Sequence, residues 1–290
     1  MNILRLLRNI INYFGFDISK FDTSLLDDKR FYKSYHSDSL LNKVFYNIGA
    51  GDFKHQYWTN IDYETNHYKN VQSKNMIHHD LMELSDIPLE SNSAEVFYSS
   101  HTIEHISNEA VQKMVSECYR ILKSNGVIRL TTPNFQLYYD AYKRNDILMW
   151  DWDINRYSKK RKFEKYYTKA FDKFSIEQIF LYQFASQLSQ ITKDNSTKKY
   201  SDNEIKEIFN TYSMDDAFDY FIGKCKFNST YPGNHINWYT KDKLIKILKD
   251  AGFKDIRISS FGQSYHIPLR NKLYFDNTHP SYSIYIEAVK

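Results

Sequence analysis

The chain has 290 residues, of which 42% are hydrophobic and 26% charged, with a formal net charge of +4. That length suits one large domain or a core domain carrying an insertion, and the composition can bury a core. The basic residues are dispersed, which argues against a nucleic-acid partner, and two cysteines, Cys118 and Cys225, are too few for a disulfide framework and fit a reducing cytoplasm.

Residues 1–42 read as an N-terminal amphipathic helix and a polar connection. Leu4, Leu6, Leu7, Ile10, Ile11 and Phe14 make a helical stripe interrupted by Arg5 and Arg8, too charged and short to span a bilayer. Packing on the domain or use as a cofactor lid is the plain expectation; weak contact with the inner face of the membrane is the sharper one. Strand signals follow at Val44–Ile48, Thr59–Asp62, Asn75–His79 and Ala94–Ser99. Asn108–Lys123 is a helix by the spacing of Val111, Met114, Val115, Cys118, Tyr119 and Leu122, ended by Gly126 in a left-handed turn. Gly126–Thr132 is the fifth strand, stopped by Pro133.

From about residue 140 to 232 strand signals lapse. Helical periodicity appears at Ile176–Ile191 and Asp202–Tyr212, beside the basic run Lys159–Lys162, read as a solvated face. The α/β pattern returns with a helix at Thr240–Ala251 and strands at Asp255–Phe261 and Ser283–Val289. This alternation predicts an α/β fold: a mainly parallel seven-stranded sheet, helices on both faces, and a helical insertion after the fifth strand. Residues 43–139 and 233–290 would form the core, and 140–232 a cover over the acceptor.

Strand ends define one rim, where such sheets bind ligands. Asn47, Gly49, Ala50, Gly51, Asp62, Asp80, Leu81, Ser100 and His101 fall there. Gly49-Ala50-Gly51 lets a backbone approach a ligand, and Asp62 ends the next strand, where an acid can accept both hydroxyls of a ribose. Lys54 stands where a dinucleotide fingerprint needs its third glycine, so a ligand without a pyrophosphate fits better than NAD or ATP.

Asn47-Ile-Gly-Ala-Gly51, Asp62, His79-Asp80-Leu81, Ser99-Ser-His-Thr-Ile-Glu-His105, Leu122-Lys-Ser-Asn-Gly126 and Pro133 come in an order and spacing that resembles the class I S-adenosylmethionine-dependent methyltransferases, in the type-11 branch that includes glycan-tailoring enzymes. The resemblance covers about residues 43–135 and implies a Rossmann-like fold. It implies that Gly49–Gly51 pass under the methionyl and ribose part of S-adenosylmethionine, that Asp62 holds the ribose hydroxyls, that Asp80 and Leu81 meet the adenine, and that Ser99–His101 border the reacting methyl. Asn47 departs from it, because many members carry an acid there. The implied activity is O-methylation of a saccharide, nucleotide-sugar or related small molecule of cell-surface glycan biosynthesis, in the cytoplasm. Other readings are a degenerate cofactor-binding module or a methyltransferase acting on a protein or another small molecule.

His101-Thr-Ile-Glu104-His105 also spells the inverted zinc-protease signature, but that site belongs on a long helix, so no metal is expected here. A sugar hydroxyl has a high pKa and gains from a general base. His235, where the insertion rejoins the core, is the first candidate, a structural cap its plain alternative; His101 is the second and His266 a distant third. Tyr138, Tyr139, Trp150, Trp152, Trp238 and Tyr239 are candidate surfaces for stacking a sugar, although core packing explains most aromatics equally well.

Overall fold

The structure is a computed structural model describing residues 23–65, 76–158 and 167–290. The N-terminal stripe and the Lys159–Lys162 run lie outside these residues. Seven strands form one sheet: β1 (Phe45–Ile48), β2 (Trp58–Asp62), β3 (Met76–His78), β4 (Ala94–Ser100), β5 (Leu122–Pro133), β6 (Asp255–Ser259) and β7 (Ser283–Val289). Their spatial order is 3-2-1-4-5-7-6. The first five strands run parallel, and β7 is antiparallel to both its neighbours.

The pleat sends successive side chains to opposite faces. Tyr46, Ile48, Phe97, Ile128 and Leu130 point to one core. Phe45, Val96 and Tyr98 join Tyr32, Trp58, Leu269 and Phe275 in another. After α1 (Ser37–Leu41), helix α2 (Asn108–Ile121) covers the first core with Val111, Met114, Val115 and Cys118, its first turn capped by Ser107 Oγ accepting from Ala110 N. The second core is roofed by the 3-10 turns Asp28–Tyr32 and Ile267–Arg270.

The junction after the long helix differs from the sequence expectation. Helix α2 stops at Ile121 and β5 begins at Leu122, so Leu122 and Lys123 are strand residues. The left-handed residue is Asn125 (φ 67°), not Gly126. Gly126 is required for close approach instead: a Cβ there would lie 2.9 Å from Leu122 Cδ2 and from the Lys123 carbonyl oxygen.

After β5 come α3 (Phe135–Lys143), which leads from the core into the insertion, and α4 (Asp151–Tyr157), α5 (Ile176–Phe184), α6 (Asp202–Thr211) and α7 (Met214–Ile222) within it; α8 (Lys241–Asp250) then returns to the sheet. These helices share an aromatic core of Phe180, Phe184, Phe209, Phe218 and Phe221, which also takes in Phe135, Tyr138, Trp150 and Trp238. Helix α5 ends at Phe184 rather than running to Ile191. The Ser186 amide donates to His235 O, 2.9 Å away, and so leaves the helical ladder. Tyr138, Trp150, Trp238 and Tyr239 are buried and offer no face to a sugar; Trp152 is exposed. Among the described residues no helix is long and apolar enough to cross a membrane.

Asp153 on α4 is pushed up to about 6 by burial, with a Gln183 Nε2 donor at 3.3 Å only partly offsetting that cost. A carboxyl whose folded pKa exceeds its unfolded value of 3.8 stabilises the fold while protonated and loses that contribution as pH rises through about 6. Asp153→Asn is therefore expected to stabilise the protein by about 1–3 kcal/mol well above pH 6, with no gain below the unfolded pKa. Denaturation midpoints across that range check it, and a variant no more stable at high pH would contradict it.

Candidate functional site

Strand order reverses between β1 and β4, and their carboxyl ends flank the resulting crevice. Gly49 (φ 67°) and Gly51 (φ 55°) leave β1 in a left-handed conformation that side chains resist. Their surroundings differ. A Cβ on Gly49 would lie 2.2 Å from Thr102 Oγ1, whereas one on Gly51 would meet nothing within 4 Å. Gly49 is thus fitted to the protein, and Gly51 presents bare backbone to open space.

Asp62 sits opposite this turn. Its Oδ2 accepts from Gly51 N and its Oδ1 from Tyr63 N, each at 2.8 Å. The carboxylate therefore fixes the glycine turn and also lines the cavity beneath it. Asp80 caps the 3-10 turn Leu81–Glu83, its Oδ1 accepting from Met82 N at 2.9 Å.

The sequence-predicted residues divide between two cavities that share Gly49. The first is lined by Gly51, Asp62, Asp80, Leu81 and His101, together with Tyr63, His79, Thr102, His105, Phe227 and Pro232. The second is lined by Asn47, Ala50 and Ser100, with Asp52, Lys54, Tyr98 and Thr278. Sequence reasoning missed Thr102 as a wall because its contact with Gly49 is tertiary. It missed Phe227 and Pro232 because nothing local shows that the end of the insertion reaches the rim.

His101 has φ 52°, a strained value held by its own N–H donating to Thr131 O at 2.9 Å. Its Nε2 lies 2.8 Å from Ser283 Oγ, its Nδ1 3.1 Å from Glu104 Oε1, and its ring 5.5 Å from that of His279. Burial lowers the His279 pKa to about 4. His235, the first base candidate, lines neither cavity. Its Nδ1 donates to Gln183 O and its ring packs edge-on to His105, centroids 4.7 Å apart. Burial lowers its pKa to about 4. His266 is bonded to the Tyr35 hydroxyl and also lines neither cavity. The His101–His105 motif spans a 3-10 turn, Ile103–His105, rather than the long helix of a zinc protease.

Residues 48–130 match the model of a family described as a methyltransferase domain. A protein of Mycolicibacterium smegmatis named "Probable S-adenosylmethionine-dependent methyltransferase" is 39% identical over 51 residues, 18% of this chain and 19% of its own length. The chain thus spans about a fifth of that curated relative. A SAM-dependent methyltransferase from Archaeoglobus fulgidus aligns over 93% of this chain and 100% of its own at 15% identity (TM-score 0.38). An S-adenosylmethionine-dependent methyltransferase from Mesorhizobium loti aligns over 85% and 90% at 11% identity (TM-score 0.40). The glycine turn and Asp62 both lie within residues 48–130, the segment that matches the methyltransferase-domain model.

Proposed function

We propose that this protein transfers the methyl group of S-adenosylmethionine to a hydroxyl of a saccharide, nucleotide-sugar or related small molecule of cell-surface glycan biosynthesis, in the cytoplasm. The observation that carries the cofactor reading is the open backbone of Gly51, bonded to a carboxylate that faces the same cavity. Asp62 would accept from the ribose hydroxyls, each charge-assisted bond contributing about 1.5–3 kcal/mol. Asp80 and Leu81 would border the adenine, and the polar second cavity, with Asn47 and Ser100, suits the amino-acid end. The cofactor, when bound, supplies an already activated methyl group. The protein's task is then mainly to position the acceptor, an effect worth up to about 7–11 kcal/mol.

The acceptor reading rests on the surface beyond His101. Its ring meets His279, and His279 meets Trp152 with centroids 4.9 Å apart. Trp152 is 44% exposed and carries Arg156 4.6 Å above its ring. An exposed aromatic face beside a cation suits a sugar ring bearing an anionic group. Trp152 comes from α4, and Phe227 and Pro232 from the end of the insertion, which supports 140–232 as the acceptor cover. The test is transfer of an isotopically labelled methyl group to panels of nucleotide-sugars and acidic oligosaccharides, with peptides and RNA alongside. Label in the saccharides is expected; label only in peptide or RNA would overturn the acceptor assignment.

A further inference from the structure

Glu104, His105 and His235 meet in space although 130 residues separate the last two. One ligand atom from each lies within 4.8 Å of the others. The backbone pins the two segments together: Ile236 N donates to Glu104 O at 2.9 Å, Asn237 Nδ2 to Ile106 O at 3.1 Å and the Tyr239 hydroxyl to Ile103 O at 3.3 Å.

The hydrogen bonds also fix the tautomers. His105 Nδ1 lies 3.1 Å from Asn234 O, and His235 Nδ1 bonds Gln183 O. A carbonyl can only accept, so both Nδ1 atoms carry the hydrogen and both Nε2 atoms keep a lone pair. A metal-ligating imidazole almost always donates its other ring N–H to such a partner, so both rings are held as ligands would be. The third group is a carboxylate with no exposure. Its Oε2 accepts from Thr132 Oγ1 at 3.2 Å, and its Oε1 receives no hydrogen bond of good geometry, although His101 Nδ1 stands 3.1 Å away. A buried carboxylate is expensive unless a cation or proton compensates it.

We propose that Glu104, His105 and His235 bind one divalent transition-metal ion, of which zinc is the best match. Two imidazoles and one carboxylate form a donor set that suits zinc and leaves a position open, whereas magnesium and calcium prefer oxygen ligands. The ligand atoms, now within 4.8 Å of one another, must close to roughly 3.3–3.6 Å, the mutual spacing that tetrahedral zinc bonds of about 2.0–2.2 Å impose. His105 also lines the first cavity, so the ion would stand at its wall, where a Lewis acid could polarise an acceptor hydroxyl. This departs from the sequence expectation of no metal. It rests on three side chains, one of which sequence reasoning had assigned as a base.

The test uses full-length protein freed of metal by chelation and titrated with cobalt(II), whose visible absorption reports nitrogen and oxygen ligation, followed by competition with zinc. One equivalent is expected to bind and to be displaced by zinc. Glu104→Gln and His235→Asn should each weaken it by at least about 100-fold while keeping the wild-type circular dichroism. If Glu104→Gln fails to fold, His235→Asn decides alone. No cobalt absorption in wild type, or unchanged affinity in the folded variants, would overturn the site and leave a shared proton in its place. S-adenosylhomocysteine binding, measured separately, shows whether any failure belongs to the cofactor site instead.

Discussion

Arg129→Leu is expected to cost about 3–5 kcal/mol of folding stability, because it strands charges the fold has buried. Arg129 lies in the middle of β5 with no exposure. Its Nε and Nη2 bind Asp276 Oδ1 and Oδ2 at 2.9 and 2.5 Å, and its Nη1 stands 3.2 Å from Glu287 Oε1. Glu287 is its register partner on β7, and Arg129 Nη1 also donates to Ser259 Oγ on β6 at 2.7 Å, so the guanidinium ties together the three strands that close this edge. Removing the guanidinium leaves Asp276 and Glu287 with no exposure or almost none and without their cation. Lys246→Ala is the matched control. That residue pairs with Asp250 at 2.5 Å on the exposed side of α8, where an i,i+4 pair contributes only about 0.3–0.5 kcal/mol. Denaturant titrations of both variants check the contrast, and equal losses would contradict it.

Gly49→Ala is expected to damage the fold and the cofactor site together. The left-handed backbone costs a side chain roughly 1–2 kcal/mol. The new methyl would also lie 2.2 Å from Thr102 Oγ1 and 2.3 Å from its Cγ2, so the turn or the Thr102 segment must move. Thr102 neighbours His101, and Gly49 borders both cavities, so that movement reaches the whole rim. The expected outcome is a total loss of about 3 kcal/mol or more in stability, with binding of S-adenosylhomocysteine reduced at least about 100-fold. Gly49→Ala combined with Thr102→Gly removes the clash and should recover part of the stability but not the backbone strain. A single variant as stable as wild type would show that the turn yields freely.

How much of this was readable in the sequence depended on how local each signal is. The buried runs of β1, β4 and β7 and the periodicity of α2 lie within single elements, so their order and class could be read directly. The left-handed position was misplaced because Asn125 and Gly126 are adjacent residues that both suit a turn. Only the packing of Gly126 against Leu122 and Lys123 separates their roles. Asp62 was legible because it ends a strand directly after a glycine turn; the bond that joins it to Gly51 was not.

The least readable part was the cluster behind His101. The sequence offers His101-Thr-Ile-Glu104-His105 and, far downstream, His235, with no periodicity to link them. Their meeting depends on the bond from Ile236 to Glu104 O and on the carbonyls of Gln183 and Asn234, which the insertion and its return bring into place. Likewise, most of the aromatics suggested as a sugar platform are consumed by the insertion's own core, and only burial distinguishes Trp152 from Trp150.

The central claim is that the turn at Gly49–Gly51 and the carboxylate of Asp62 hold S-adenosylmethionine. The most direct measurement is calorimetric titration of S-adenosylhomocysteine into wild type and Asp62→Ala, with circular dichroism confirming that the variant is folded. Micromolar binding by wild type, weakened at least about 100-fold in the variant, is the result this account predicts. No binding by folded wild type, or equal affinity in both proteins, would contradict it.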